Sequence, residues 1–116
     1  MKILALSTDE ELNRLRRFAL NYFGHNVEII NSEKEAIAAA EGKEEYDVIL
    51  LCHKMPSAAG RQIVRLLRQN ASPAKLVYIS HIYGEWPEVE ADRYVVGADG
   101  PEALNRVLEE VTTTAA

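Results

Sequence analysis

The sequence predicts an α/β protein in which helices cover both faces of one parallel sheet. Short apolar runs alternate with segments whose apolar residues recur every three or four positions, the pattern of strands alternating with helices. Residues 48–51 are all apolar, as expected of a strand buried on both faces. The chain has 116 residues, enough for one domain, and we expect that domain to span residues 1–116.

Five strands are predicted, at residues 2–6, 27–30, 48–51, 75–80 and 94–96. Each is a run of predominantly apolar residues, rich in Val, Ile and Leu. Connections between parallel strands cross over with a right-handed sense. With five strands this rule favours the flavodoxin-like arrangement, with the strand order 2-1-3-4-5.

The first helix is predicted to follow the first strand. Thr8 and Glu11 have the spacing of a capping box, with Thr8 as the N-cap, and Gly24 ends the helix. Apolar side chains at three- and four-residue steps predict a core-facing stripe: Leu12, Leu15, Phe18, Ala19, Tyr22 and Phe23.

Three more helices are predicted from similar signals. Ser32 and Glu35 form a second capping box, Ser57 is the predicted cap of the next helix, and Pro101 takes the first position of the last. Apolar side chains predicted to face the sheet are Ala36, Ile37 and Ala40; Ile63, Val64, Leu66 and Leu67; and Ala103, Leu104, Val107, Leu108 and Val111.

The connection between the fourth and fifth strands is short. It comprises residues 81–93 and contains Gly84 and Pro87, both of which interrupt helices. We therefore expect the fourth crossover helix to be shortened or missing.

In such sheets, ligands bind beyond the carboxyl ends of the strands, at the point where the strand order reverses. Polar residues follow the first, third and fourth strands at this edge. They are expected to lie close together: Ser7, Thr8, Asp9, Cys52, His53 and Ser80.

Composition narrows the classes of function. The net charge of −5 disfavours a nucleic-acid partner. No apolar run approaches the roughly 20 residues that span a bilayer, and the apolar start of the chain is too short for a secretion signal. A single cysteine excludes an internal disulfide. We expect a cytoplasmic protein in a reducing compartment, with neither membrane nor nucleic acid as a partner.

Charge is distributed unevenly along the chain. Residues 48–84 carry five basic residues and no acid, whereas residues 85–110 carry eight acids and two arginines. Two solvated faces explain this pattern. The alternative is a pair of complementary surfaces for a partner or a second copy of the chain.

Three stretches resemble the receiver domains of bacterial response regulators, the CheY-like family. They are residues 47–60, which hold the third strand and the Met55-Pro56 turn, residues 91–96, and residues 99–104. The resemblance extends over essentially the whole chain. It implies a fold that, in the family, is switched by phosphorylation of an aspartate at the end of the third strand.

The resemblance also locates the family's functional positions. The acidic pair that holds Mg²⁺ falls on Ser7 and Thr8, the phosphoacceptor aspartate on Cys52, and the conserved lysine on Gly97. Two switch positions are retained, namely the hydroxyl residue as Ser80 and the aromatic residue as Tyr94.

These replacements remove the family's chemistry. Mg²⁺ requires carboxylate oxygens, and Asp9, beside the degenerate pair, supplies a single charge. Phosphoryl transfer relies on a metal and a cation to neutralise the transferred oxygens. The resemblance therefore implies a degenerate pseudo-receiver that is not an enzyme, is not phosphorylated on aspartate, and needs no metal or other cofactor.

The expected function is protein binding within a two-component or phosphorelay pathway. The partner is another signalling protein or a second copy of the chain. The expected interface includes Trp86 and Tyr94, although Trp86 is also explained as a cover for the sheet where a helix is missing.

Cys52 supports a different hypothesis, a redox- or ligand-responsive switch. The thiol is expected near the surface at the end of a strand, without direct pairing to His53, because neighbouring strand residues point to opposite faces. A metal site formed by Cys52, His53 and His81 is not favoured, because their spacing matches no zinc signature.

Overall fold

A computed structural model describes residues 1–42, 44–81 and 89–113 of the chain. Five parallel strands form one sheet: β1 (Lys2–Leu6), β2 (Asn26–Ile30), β3 (Val48–Cys52), β4 (Lys75–Ser80) and β5 (Arg93–Val96). Their order is β2-β1-β3-β4-β5, and all four pairings are parallel. The predicted flavodoxin-like fold is confirmed.

Four α-helices are described: α1 (Glu10–Tyr22), α2 (Glu33–Glu41), α3 (Ser57–Gln69) and α4 (Pro101–Thr113). Of the connection between β4 and β5, residues 89–92 form no helix, and residues 82–88 lie outside the described part of the chain. A 3₁₀ turn at Gly97–Asp99 links β5 to α4.

The sheet separates two apolar cores. Below one face, Ala36 and Ala40 of α2 and Ile63 of α3 pack against alternate residues of the central strands. On the other face, Leu20 of α1 and Leu108 of α4 pack against the intervening residues. Because consecutive strand residues point to opposite faces, every residue of β3 is buried. The apolar stripes predicted for the second, third and last helices all contribute to these cores.

The start of α1 differs from the prediction. Asp9 rather than Thr8 is the N-cap, and its carboxylate accepts a hydrogen bond from the backbone N–H of Leu12 at 3.0 Å. Asp9 and Thr8 are both good capping residues, so the sequence pattern fits either register. The hydroxyl of Thr8 is then left for another partner.

The predicted core-facing stripe of α1 is wrong for three of its members. Leu15, Phe18 and Tyr22 are exposed by 62%, 78% and 84% respectively. The residues of α1 that are buried are Asn13 and Leu20. Since each residue turns a helix by about 100°, the spacing identified an apolar face but not the direction in which it points.

The cap of α3 also differs. Pro56 is the N-cap and Ser57 is the first helical residue, so no side-chain hydrogen bond caps this helix. One turn later the helix lies close to the sheet at Gly60. A β-carbon there would lie 3.1 Å from Val89 Cγ2 and 3.3 Å from Leu51 Cδ2, closer than ordinary packing allows. Glycine thus permits the close approach of α3 to β3.

Asn13 is a polar residue within the core, with 1% of its surface exposed. Its side-chain amide donates hydrogen bonds to Ala5 O at 3.0 Å, Ile30 O at 3.2 Å and Asn31 Oδ1 at 3.0 Å. The amide therefore connects α1 to the carboxyl ends of β1 and β2, beside the edge of the sheet where ligands bind in this fold.

The structure contains, in the part of the chain it describes, no helix that is both long and apolar enough to cross a membrane.

Candidate functional site

The carboxyl ends of β1, β3 and β4 lie side by side, and the residues that follow them form the candidate site. Cys52 is the last residue of β3 and only 1% of its surface is exposed, so the expectation of a thiol near the surface is wrong. Its Sγ lies 3.6 Å from His53 Nδ1, and the backbone N–H of Lys54 donates to it at 3.5 Å.

The expectation that Cys52 and His53 do not pair is therefore wrong as well. The alternation of faces applies within a strand, and β3 ends at Cys52. Beyond that point a turn, closed by Met55 N–H donating to Cys52 O at 2.9 Å, brings the ring of His53 back beside the sulfur.

Ser7 and Thr8, which we expect at the positions of the acidic pair, carry hydroxyls with local partners. Ser7 is fully buried, and its Oγ accepts a hydrogen bond from the N–H of Asp9 at 3.1 Å. The Thr8 hydroxyl donates to the carbonyl of Lys54, linking the end of β1 to the loop after β3. Ser7 and Thr8 thus hold the loops of the site together.

The site does not fit Mg²⁺. Asp9 is the nearest carboxylate in sequence to the degenerate pair, and it is engaged as the N-cap of α1. Within residues 1–42, 44–81 and 89–113, no group of three or more His, Cys, Asp or Glu side chains is arranged to hold a metal ion. A hard cation that prefers several carboxylate oxygens would meet hydroxyls and positive charges here.

Gly97, which we expect at the position of the family's lysine, lies in the 3₁₀ turn after β5. A side chain starting there would meet Arg16 of α1, whose Nη2 lies 3.6 Å from the place of a β-carbon. The remaining close neighbours are Ile79 Cγ2 and Ser80 O, both at 3.5 Å. The guanidinium of Arg16 therefore brings a positive charge to the site from a different element.

Ser80 and Tyr94, the residues expected at the two switch positions, have different surroundings. Ser80 is buried at the end of β4. Tyr94 is half exposed; its hydroxyl donates to Val89 O at 2.8 Å and accepts from Ala91 N–H at 3.0 Å, which holds the segment before β5. Trp86, the other residue predicted at an interface, lies outside the described residues.

Comparison with known proteins gives matches in structure alone. No family model matches the chain, and no curated protein matches it in sequence. Among solved structures, the chemotaxis protein CheY4 of Vibrio cholerae has 25% identity and a TM-score of 0.79, over 95% of this chain and 97% of that one.

Two further solved structures are similar to this chain over almost its whole length. The response regulator TrrA of Thermotoga maritima, in complex with Mg²⁺ and BeF, has 20% identity and a TM-score of 0.78, over 95% of this chain and 97% of that one. The receiver domain of a sensor histidine kinase from Pseudomonas aeruginosa, with a magnesium ion in its active-site cleft, has 19% identity and a TM-score of 0.81, over 97% and 98% of the two chains. The chain has the CheY-like receiver fold.

A cleft of about 490 Å³ opens in this receiver fold between α1 and α4, above the carboxyl ends of β4 and β5. Its walls are mostly apolar, and its lining includes four groups that carry or can acquire a positive charge: Arg16, His53, Lys54 and His81. No acidic residue lines the cleft in the part of the chain that the structure describes.

The positive groups that line the cleft affect the pKa of His53. Burial lowers the pKa of the imidazole below its usual value, and the positive charges of His81, Arg16 and Lys54 lower it further, against a hydrogen bond with Ile79 that raises it. The rings of His53 and His81 lie 5.0 Å apart, centroid to centroid. The ring of His53 is therefore harder to protonate than a free imidazole.

This lowered pKa makes stability depend on pH. Between the folded and unfolded pKa values of His53, the unfolded chain binds more protons, so the free energy of unfolding falls as the pH drops below about 6.5. We expect His53→Gln to reduce this fall, measured by urea unfolding between pH 7.5 and about pH 5. An equally steep fall in the variant would contradict the assignment.

The sequence analysis identified the hydroxyl residues, the cysteine and the glycine of the candidate site, but it missed Arg16 and Asn13. Arg16 precedes Gly97 by 81 positions, and no motif links them. Asn13 did carry a signal, since a polar residue between apolar positions of a helix is a candidate for a buried hydrogen-bonding role.

Proposed function

We propose that this chain is an atypical receiver domain that binds another signalling protein in a two-component or phosphorelay pathway without being phosphorylated itself. One observation carries the proposal: the acceptor position holds a buried thiol, and the hydroxyls at the acidic-pair positions are engaged by neighbouring backbone. A cytoplasmic location, and the absence of enzymatic activity, nucleic-acid binding and membrane binding, belong to the same proposal.

The chemistry of phosphoryl transfer supports this reading. Two of the similar structures hold Mg²⁺, one of them together with BeF. In this chain the acceptor carboxylate and the acidic pair are missing, so neither a metal nor a phosphoryl group has its usual ligands. Arg16 restores a cation near Gly97, but a cation without an acceptor does not permit transfer.

The exposed stripe of α1, defined by Leu15, Phe18 and Tyr22, supports the binding half of the proposal. Large exposed apolar side chains in a contiguous row mark protein interaction sites. Arg17 lies next to Phe18 on the same helix, which favours a partner whose apolar surface is bordered by an acid. We therefore propose this stripe as the docking surface for the partner protein.

The surface that includes Tyr94 remains a second candidate, as the sequence predicted. The ring of Tyr94 is half exposed, but its hydroxyl is occupied within its own loop. The α1 stripe offers more exposed apolar surface, so it takes precedence as the primary interface.

The alternative, a redox- or ligand-responsive switch centred on Cys52, comprises two hypotheses. The redox hypothesis requires a reactive thiol that its oxidant can reach, and the burial of Cys52 argues against it. The ligand hypothesis concerns the cleft rather than the thiol.

The test combines phosphorylation and binding. We expect the chain, mixed with Mg²⁺ and a small-molecule phosphodonor, to gain no phosphoryl adduct by intact mass spectrometry, and to show no Mg²⁺-dependent NMR shifts at Ser7, Thr8 or Ser80. Proteins captured from native lysate by the wild-type chain should be retained equally with and without the phosphodonor. Phe18→Ser should reduce that capture by about tenfold or more, the range of a buried aromatic anchor.

Arg65→Ser is the matched control, because Arg65 is exposed on α3, on the opposite face of the sheet. It should leave capture unchanged. Capture that is unaffected by Phe18→Ser would refute the docking surface, and an Mg²⁺-dependent adduct would refute the phosphorylation-independent function.

A further inference from the structure

We propose that the cleft between α1 and α4 binds a small organic anion, with one carboxylate or phosphate head group and a compact apolar body. This goes beyond the proposed function: it concerns a small-molecule ligand, and its tests require no protein partner, although Leu15 belongs both to the cleft lining and to the docking surface on α1.

The size and walls of the cleft suit such a ligand. Its volume of about 490 Å³ lies within the range of about 300–1,000 Å³ that small-molecule sites occupy. Leu12 and Ala19 of α1, Pro101 and Leu104 of α4, and Val95 of β5 are among the residues that line it. Because ligand pockets combine mostly apolar walls with a few polar groups that fix orientation, this composition favours an apolar body with one polar end.

The charge of the cleft specifies the polar end. Arg16, His53, Lys54 and His81 gather at the end beside β3 and β4, and no acid among the described residues lines the cleft. A guanidinium donates paired hydrogen bonds that match a carboxylate or a phosphate. An anionic head group is therefore the complement of this end of the cleft.

Arg16 is the residue best placed to hold the head group. Arg14, two positions earlier on α1, forms an ion pair with Glu10 at 2.8 Å on the exposed surface. Arg16 forms no hydrogen bond or ion pair with any residue in the described part of the chain, and its Nη2 lies beside Gly97 within the cleft. A β-carbon at position 97 would lie in ordinary van der Waals contact with this guanidinium, at 3.6 Å.

The positive charges around His53 also favour an anionic ligand. His81 after β4, Arg16 of α1 and Lys54 after β3 all lower the pKa of His53 by their positive charge, and the sulfur of Cys52 lies 3.6 Å from its Nδ1. A bound anion would favour the protonated imidazole. Binding should therefore tighten as the pH falls toward the lowered pKa of His53.

The experiment compares probes that separate charge from apolar surface. Octanoate carries both, octanol has a similar body without the charge, and inorganic phosphate has the charge without the body. We expect saturable amide shifts at Gly97, Ala98 and Leu104 on titration with octanoate, and a Kd at least tenfold lower than for octanol or phosphate. Phenyl phosphate, compared with benzoate, then identifies the preferred head group.

Two arginine variants provide the matched comparison. Arg16→Gln should weaken octanoate binding by about tenfold or more, the usual effect of losing a hydrogen bond to a charged group. Arg14→Gln, which removes an equal charge from the outer face of the same helix, should leave the Kd unchanged. Ala19→Leu, which fills part of the apolar wall, should also weaken binding.

Failure of octanoate to saturate, or equal weakening by Arg16→Gln and Arg14→Gln, would overturn the proposal. If octanol bound as tightly as octanoate, the requirement for an anionic head group would be wrong. If phosphate bound as tightly as octanoate, the requirement for an apolar body would be wrong. Neither Mg²⁺ nor a phosphodonor enters these titrations, so a negative result leaves the phosphorylation-independent function standing.

Discussion

Cys52→Asp is expected to lower the free energy of unfolding by about 2–3 kcal/mol at neutral pH, and to leave the chain unphosphorylated. The substitution puts a carboxylate at a position that is 1% exposed. The polar groups that contact the Cys52 side chain there are the Lys54 N–H and the ring of His53. No metal is held beside it, because Ser7 and Thr8 supply no carboxylate.

Urea unfolding at several pH values measures this effect. Burial raises the pKa of the introduced carboxyl, so its protonated form is favoured in the folded state and the loss of stability grows as the pH rises. Cys52→Ser, which adds a polar atom without a charge, is the control and should cost less. Stabilisation by Cys52→Asp would indicate that the positive groups of the cleft compensate a negative charge at this position.

The larger effect is expected at Asn13. Asn13→Asp should lower the free energy of unfolding by about 3–5 kcal/mol at neutral pH, because the charge would be buried without a partner. The amide that now donates to three oxygens, those of Ala5, Ile30 and Asn31, would become a carboxylate facing the same three acceptors. The fold would lose its donor and gain repulsion at the ends of β1 and β2.

Asn21→Asp is the matched control for this prediction. It makes the same chemical change on the same helix, but Asn21 is exposed, so the change should stay within about 0.5 kcal/mol. Urea unfolding of both variants at neutral and acidic pH distinguishes them, since the Asn13→Asp loss should shrink when the carboxyl is protonated. Equal effects of the two substitutions would mean that the hydrogen bonds of Asn13 contribute little.

The exposed stripe of α1 illustrates the limit of sequence patterns. Residues 12–23 have apolar side chains at helical spacing, and this spacing correctly predicted a helix. However, α1 has apolar residues on more than one face, and only packing decides which of them meets the sheet. Leu20 and Asn13 face the sheet, while Leu15, Phe18 and Tyr22 face solvent.

Sequence alone predicted the strand order and the position of nearly every element, and it gave hydroxyls at Ser7 and Thr8 and a thiol at Cys52. These properties depend on local periodicity, on turn residues and on the identity of single positions, all of which are legible along the chain. Tertiary structure decided the burial of Cys52, its contact with His53, the choice of Asp9 as the cap, and the position of Arg16 beside Gly97. Those properties depend on the rotation of a helix against the sheet and on competition among side chains for the same hydrogen-bonding groups, which arise only when distant segments meet.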